Sequence, residues 1–356
     1  MHVLMMTPRI DAKHDVLGFA VKWVRELSRH FDRLDVLTGY AGEYDLPENV
    51  TVRSYGKERG YSKSRRVIEF ERHCATYARE NQIDVAFVHM VPAYVLASWP
   101  LLGARGVPYV LWYAHGTVTS KLRAAHPLVS RVVTSTPASF NLSSKKVEIV
   151  GQGINMEEFT HNREPRADGH LLGVGRIDPV KNFDVLIAAV ADIHERKQRV
   201  SLNIVGEPFQ SEEYRKSLGQ QVRDSGLDDV VRFVGSVPHE AIVDYYQSAK
   251  LFLNASRTGS LDKTEVEAMA CGTPVISCND SYCDMVEETP IDADLVTFPP
   301  GDAVALADRV EAILGMDEAE YRELQRQSRD AVKRRHALQK QIERIADAMK
   351  TTTGET

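Results

Sequence analysis

Apolar residues along the first 150 positions fall into short runs separated by stretches with a helical rhythm. Segments 3–7, 34–38, 50–55, 85–89, 109–113, 131–135 and 147–150 read as strands. Segment 19–30 reads as an amphipathic helix carrying Phe19, Val21, Trp23, Val24 and Leu27 toward Phe31, and 67–81 as a second helix. A polar stretch at 151–169, with Gly151, Gly153, Pro165 and Gly169, reads as a linker. A second series follows, with strands at 171–174, 201–205, 231–234, 251–254 and 274–277. Its helices are expected at 184–195, 211–224, 239–249, 261–270 and 304–314, before a long charged helical stretch, 317–350, broken near 334–337. Near-continuous apolar strands alternating with helices argue for parallel sheets covered on both faces. The economical architecture is α/β: two Rossmann-like, doubly wound domains with a ligand cleft between them. The expected limits are 1–160 and 161–330, with 331–356 a helix crossing back to the first domain.

Length agrees with two domains, since 356 residues exceed one ordinary core. With 43% apolar, 26% charged and 8% aromatic residues, the composition is that of a globular chain. No apolar run reaches the roughly 18–20 residues that span a bilayer. The start Met1-His2-Val3-Leu4-Met5-Met6 is strand-like, without the basic start and cleavage site of a signal peptide. A cytoplasmic chain is therefore expected. Cys74, Cys271, Cys278 and Cys283 lack zinc or redox spacing, so reduced and mostly buried thiols are expected. The net charge of −6 divides unevenly: residues 1–150 carry 20 Lys+Arg against 14 Asp+Glu, and the rest 24 against 36. The basic first half hints at an anionic partner, although a solvated basic face is the commoner explanation.

The most telling string is Gly175-Arg176-Ile177-Asp178-Pro179-Val180-Lys181-Asn182. It places two cations after an expected buried strand and at the start of the next helix, where ligands bind in open α/β sheets. A guanidinium and an ammonium there, beside a helix N-terminus, suit a diphosphate. The eight residues alone equally allow a surface loop with two solvated charges.

Downstream strings decide between these readings. Leu202-Asn203-Ile204-Val205-Gly206-Glu207-Pro208, Val231-Arg232-Phe233-Val234-Gly235-Ser236-Val237 and Glu267-Ala268-Met269-Ala270-Cys271-Gly272-Thr273-Pro274 follow in order. Together with Arg176 and Lys181 they resemble the nucleotide-sugar-binding domain of retaining GT-B glycosyltransferases, specifically glycosyltransferase family 4. In the first half, Trp112-Tyr113-Ala114-His115-Gly116 resembles that family's acceptor-domain motif, and Gly151-Gln152-Gly153-Ile154-Asn155 its interdomain hinge.

The resemblance implies two domains facing each other across a cleft and transfer of a sugar from a nucleotide diphosphate sugar to an acceptor hydroxyl, with retained configuration. Arg176 and Lys181 would then neutralise the leaving diphosphate, with Gly175 beside them. Glu267 would accept ribose hydroxyls, and Glu207, Gly235 and Val237 would line the nucleotide. His115 would face the donor sugar. Backbone N–H groups at Gly259, Ser260 and Leu261, leading into the 261–270 helix, would add anion-binding capacity. The departing phosphate would help deprotonate the acceptor, so no enzymatic base is expected, and with no Asp-x-Asp pair in a loop suited to Mg²⁺ neither a metal nor another cofactor is expected. Asp292-Ala293-Asp294 has a metal-like spacing but falls in an acidic loop away from the phosphate string.

One departure stands out. The family carries a second glutamate eight positions before the one matched by Glu267, and that position is Gly259 here. Asp262 and Lys263 are candidates for a substitute carboxylate or a phosphate contact. The departure keeps a second function open, a weak or inactive nucleotide-sugar-binding or scaffold protein. An NAD-dependent enzyme is disfavoured, because no G-x-G-x-x-G follows the first strand. The basic stretch 57–66 is a candidate for a lipid-linked acceptor or peripheral contact with an anionic membrane, against a solvated loop leading into the 67–81 helix. Polysaccharide or glycolipid synthesis is the expected setting, with a glycan or lipid-linked acceptor. Nucleic acid is not expected, given the acidic balance and few interleaved aromatics.

Overall fold

The computed structural model describes residues 1–14, 18–80, 82–162, 169–209, 212–257 and 259–354. The readings at Asn81, Pro165 and Ser211 lie outside the described residues. The chain forms two compact units, Met1–Gly153 with Gln339–Thr356, and Ile154–Leu338.

The first unit is built on β1 (His2–Thr7), β2 (Arg33–Thr38), β3 (Val50–Ser54), β4 (Val85–His89), β5 (Tyr109–Trp112), β6 (Arg131–Thr134) and β7 (Val147–Ile149). They pair in the order β3-β2-β1-β4-β5-β6-β7, all parallel. Every residue of β1 and β4 is buried, as a sheet covered on both faces requires. The helices are α1 (Phe19–Ser28), α2 (Lys63–Glu80), α3 (Pro92–Ser98) and α4 (Ser120–Ala125). The sequence pattern did not reveal α3 or α4, which are too short to show a period. It also set the start of α2 at residue 67. The helix begins at Lys63 because the Ser62 hydroxyl accepts from the Arg65 N–H (3.3 Å), an N-cap inside a stretch read as basic loop.

The second unit holds β8 (His170–Val174), β9 (Ser201–Val205), β10 (Val231–Gly235), β11 (Leu251–Asn254) and β12 (Val275–Ser277). Their order is β10-β9-β8-β11-β12, again all parallel. Around this sheet lie α5 (Phe183–Glu195), α6 (Glu212–Asp224), α7 (His239–Ser248), α8 (Lys263–Ala270), α9 (Asp280–Glu287), α10 (Ala293–Val296), α11 (Ala303–Leu314) and α12 (Glu318–Arg335). Leu171, Leu172, Leu186, Ile187, Leu202, Ile204, Phe252 and Ile276 form the centre of its core. The acidic segment expected as a loop is the start of α10, where Asp292 Oδ1 caps the Asp294 N–H (3.0 Å).

The long charged stretch breaks at His336–Ala337, where the Ile154 N–H donates to the His336 carbonyl (2.6 Å) and the Leu338 N–H to the Ile154 carbonyl (2.8 Å). Beyond the break, α13 (Leu338–Thr353) belongs almost entirely to the first unit. Its Ile342, Ile345, Ala346 and Met349, one helical stripe, are buried. The boundaries therefore fall after Gly153 and after Leu338, not at 160 and 330.

Candidate functional site

In the second sheet the chain turns to one side after β8 and crosses to the other at β11, so the strand order reverses between these neighbours. The crevice outside the carboxyl ends of strands at such a reversal is the general ligand position of open α/β sheets. Arg176 lies two residues beyond β8, and Lys181 ends a short 3-10 turn just before α5. The turn is held by Asp178, whose carboxylate accepts from the Val180 N–H (3.1 Å). Asn182, at φ +47°, redirects the chain into α5 while its amide donates to the Ala255 carbonyl beyond β11 (2.8 Å). Both sides of the reversal are thereby tied together.

The loops after β8 and β9 are in close register. A Cβ on Gly206 would run into the Gly175 carbonyl oxygen, so only glycine allows this approach. Arg176 is exposed, with its guanidinium carbon 4.0 Å from the centre of the Phe209 ring. Glu207 Oε1 accepts from the Ser236 N–H (3.0 Å) and stands beside Gly235, while Val237 packs partly buried against the core. The segments after β8, β9 and β10 thus form one continuous edge.

Lys181 has a different environment. Its ammonium donates to Asp262 Oδ2 (2.7 Å), and the two side chains are only 12% and 14% exposed. The same oxygen accepts from Asn254 Nδ2 (3.1 Å), which also donates to Glu265 (2.6 Å). Ser277 Oγ completes the set by donating to Glu265 (2.5 Å). This network joins the carboxyl ends of β11 and β12 to the loop after β8. Glu265 is fully buried, and desolvation, helped by the Asp262 charge, pushes it up to about 8 against the opposing donors.

Asp262 and Glu265 also form a capping box, which moves the start of α8 from the expected residue 261 to Lys263. Asp262 is the N-cap of that helix. Its carboxylate occupies the place where bare N–H groups were expected to meet an anion. The Gly259–Leu261 segment is pinned from α9 instead: Ser281 Oγ donates to the Gly259 carbonyl (2.7 Å) and Asn279 Nδ2 to the Ser260 carbonyl (2.9 Å). Leu261 is buried. Gly259 sits at φ +74°, a conformation that disfavours a glutamate whatever space is open around it. The backbone here matches the residue present.

Glu267, one turn further along α8, is 5% exposed. The Tyr246 hydroxyl donates to its Oε2 (3.0 Å), and Lys263 Nζ lies 3.4 Å from Oε1. Burial, then the adjacent Glu267 charge, raises the Tyr246 hydroxyl well above the ordinary phenol range, which keeps it a donor. Tyr246 was not found from sequence, because a tyrosine in an amphipathic helix carries no motif. A lone phenylalanine after a glycine turn hid Phe209 in the same way.

His115 belongs to the first unit, beyond β5. It is exposed, and its Nδ1 accepts from the Thr117 N–H (3.0 Å), so the neutral ring carries its proton on Nε2. Asn141 Nδ2 holds the adjacent Gly116 carbonyl (2.9 Å). At the first sheet's own order reversal, β1 beside β4, Thr7 Oγ1 meets His89 Nδ1 (3.0 Å). His89 is buried against the rings of Phe19 and Trp23, the latter packed edge-on to Trp112, and desolvation lowers it to about 4.

Among the described residues no group of three His, Cys, Asp or Glu side chains is placed to hold a metal ion. Among them, too, no helix is long and apolar enough to cross a membrane. Cys74, Cys271 and Cys278 are free and buried, and Cys283 is half-buried.

Two parallel-sheet α/β domains, the second with a cationic pair at its strand reversal, define a protein of GT-B architecture. The solved Anabaena HepE (Alr3699), in complex with UDP, is similar at a TM-score of 0.74 and 17% identity, covering 99% of this chain and 100% of that one. Sucrose-phosphate synthase from Thermosynechococcus elongatus is similar at 0.71 and 19% identity, covering 99% of each. The profile of the family described as glycosyl transferases group 1 matches residues 156–334, half of the chain, and the chain belongs to that family. D-inositol 3-phosphate glycosyltransferase of Kribbella flavida is 34% identical over 146 residues, 37% of this chain and 34% of that relative. The match therefore spans about a third of the relative's length.

Proposed function

We propose that this chain is a glycosyltransferase that moves a sugar from a nucleotide diphosphate sugar to an acceptor hydroxyl with retention of configuration. The observation that carries the reading is the pair of cations, Arg176 and Lys181, at the strand reversal of the second sheet. Family membership and the UDP held by the similar HepE support it. Arg176 offers its N–H donors to the diphosphate from an exposed position. Lys181 offers a second positive charge once its bond to Asp262 is shared with the ligand. Such charges stabilise the leaving group most where water is excluded, by roughly 10²–10³ in rate per well-placed donor. The two cations fill the role a divalent metal would otherwise take, so the reaction is proposed to be metal-independent.

Glu267, fixed by Tyr246, takes ribose hydroxyls, and Glu207, Gly235 and Val237 line the nucleotide. Ser260 and Lys263 belong to the same donor edge. His115 offers its Nε2–H to the donor sugar. The departing phosphate takes the acceptor proton. We place the reaction in cell-surface glycan or glycolipid synthesis, with a glycan or lipid-linked acceptor, at the inner face of a membrane. The structure supplies one support for membrane contact. The first turn of α2 carries Lys63, Arg65 and Arg66 and leads to Val67 and Ile68, which are 54% and 63% exposed. Basic residues beside bare aliphatics suit an anionic lipid surface.

A second reading, a nucleotide-sugar-binding protein without turnover, is favoured by the glycine at 259. Release of nucleoside diphosphate on adding an acceptor, abolished in Arg176→Ala, is the expected result. Tight donor binding with no release under any acceptor would establish the second reading.

A further inference from the structure

The two cations of the donor edge are held by different means. Lys181 is bound by a carboxylate, whereas among the described residues no carboxylate pairs with Arg176. Its guanidinium lies over Phe209 at 4.0 Å. Phe209 is 51% exposed. Its place is set by the backbone. The Ile177 N–H donates to the Glu207 carbonyl (2.8 Å), and the Phe209 N–H returns to the Ile177 carbonyl (3.4 Å), so residues 177 and 208 pair as a short parallel bridge. Ile177, between Arg176 and this bridge, is buried and anchors it. The Gly206–Gly175 approach locks the same two loops one step earlier.

A ring face attracts a guanidinium through its quadrupole and leaves every N–H donor unspent. A carboxylate in the same position would consume two of them and cancel the charge. We infer that Phe209 is the positioning residue for Arg176, holding the guanidinium at the strand reversal with its N–H donors free for a diphosphate. The inference rests on the reading of this edge as a donor site and adds a residue that the family resemblance did not single out. The ring also limits the rotamers that a four-torsion side chain must give up on binding, so its removal weakens binding without removing any ligand contact.

The test is calorimetry of the intact chain with UDP, GDP and ADP, followed by variants with whichever diphosphate binds. Phe209→Leu, which keeps apolar bulk but loses the ring, is expected to weaken binding roughly three- to tenfold. Phe209→Tyr, which keeps the ring, is expected to bind as the intact chain does. In an Arg176→Ala background, Phe209→Leu is expected to have no further effect. Thermal unfolding of Phe209→Leu should match the intact chain, which separates positioning from support of the fold. Unchanged affinity in Phe209→Leu, or losses that simply multiply in the double variant, would overturn the inference while leaving the donor site standing. Failure of the intact chain to bind any of the three diphosphates would overturn the donor site and this inference together.

Discussion

The carboxyl edges of the two sheets are built in opposite ways. On the second sheet, charged groups are threaded into a shared network: Lys181, Asp262, Asn254, Glu265 and Ser277 are joined by bonds of 2.5–3.1 Å. On the first, the buried reversal is aromatic, with His89 against Phe19 and Trp23, and the one singled-out polar group, His115, is exposed on a local bond to Thr117. A charge held by neighbours is preorganised for a charged ligand, because little reorganisation is left to do when the ligand arrives. A histidine held only by its own loop is suited to a neutral hydroxyl, for which one hydrogen bond is enough.

The largest expected difference follows directly. Lys181→Ala should lower turnover by roughly 10²–10³, as loss of a charge-stabilising donor does. It should also destabilise the second unit by about 2–3 kcal/mol, because the Asp262 carboxylate is left nearly buried without the Lys181 charge. His115→Ala should lower turnover only about tenfold and leave stability and diphosphate affinity unchanged, since it removes one exposed donor. Steady-state rates together with urea unfolding of both variants measure the contrast. An equal loss of turnover in the two would erase it.

A smaller effect sharpens what Asp262 does. Asp262→Asn keeps a good N-cap for α8 while removing the charge beside Lys181. Stability should fall by roughly 1–2 kcal/mol, and affinity for a nucleoside diphosphate should rise severalfold, because Lys181 is no longer half-neutralised. Calorimetry distinguishes this from sugar reading by Asp262, in which case the sugar nucleotide would bind more weakly and the bare diphosphate would bind unchanged.

Much of this was legible beforehand, for local reasons. The strands of both sheets show as short apolar runs because parallel strands buried on both faces need little else, and the break at residues 334–337 shows as a loss of period. Arg176, Lys181 and Glu267 were visible because contiguous strings around turns and helix ends encode them. What stayed hidden depends on residues far apart in the chain. Tyr246 reaches Glu267 across 21 positions, and Lys181 reaches Asp262 across 81. Two local signals were present but unused: Ser62 before Arg65, and the Asp262–Glu265 capping pair, which account for the shifted starts of α2 and α8.

A pH titration sets the two edges against each other without touching the cations. His89, lowered to about 4 by burial, binds fewer protons in the folded than in the unfolded state between that value and 6.5. Its contribution is therefore complete above 6.5 and is lost as the pH falls toward 4. Glu265, raised from 4.5 to about 8, binds more protons in the folded state over that interval. Its contribution is complete below 4.5 and is lost as the pH rises toward 8. The two slopes oppose each other between 4.5 and 6.5, so His89→Phe should take away a rise with pH between about 4 and 6.5 and Glu265→Gln a fall between about 4.5 and 8, each by up to about 1.4 kcal/mol per pH unit. Denaturant unfolding of the intact chain and both variants from pH 4 to pH 8 measures the two slopes. Slopes of the same sign would mean that Glu265 is ionised in the folded chain. Its donors Asn254 and Ser277, with Lys181 beyond Asp262, would then outweigh its burial, and the network would carry a buried charge rather than a proton.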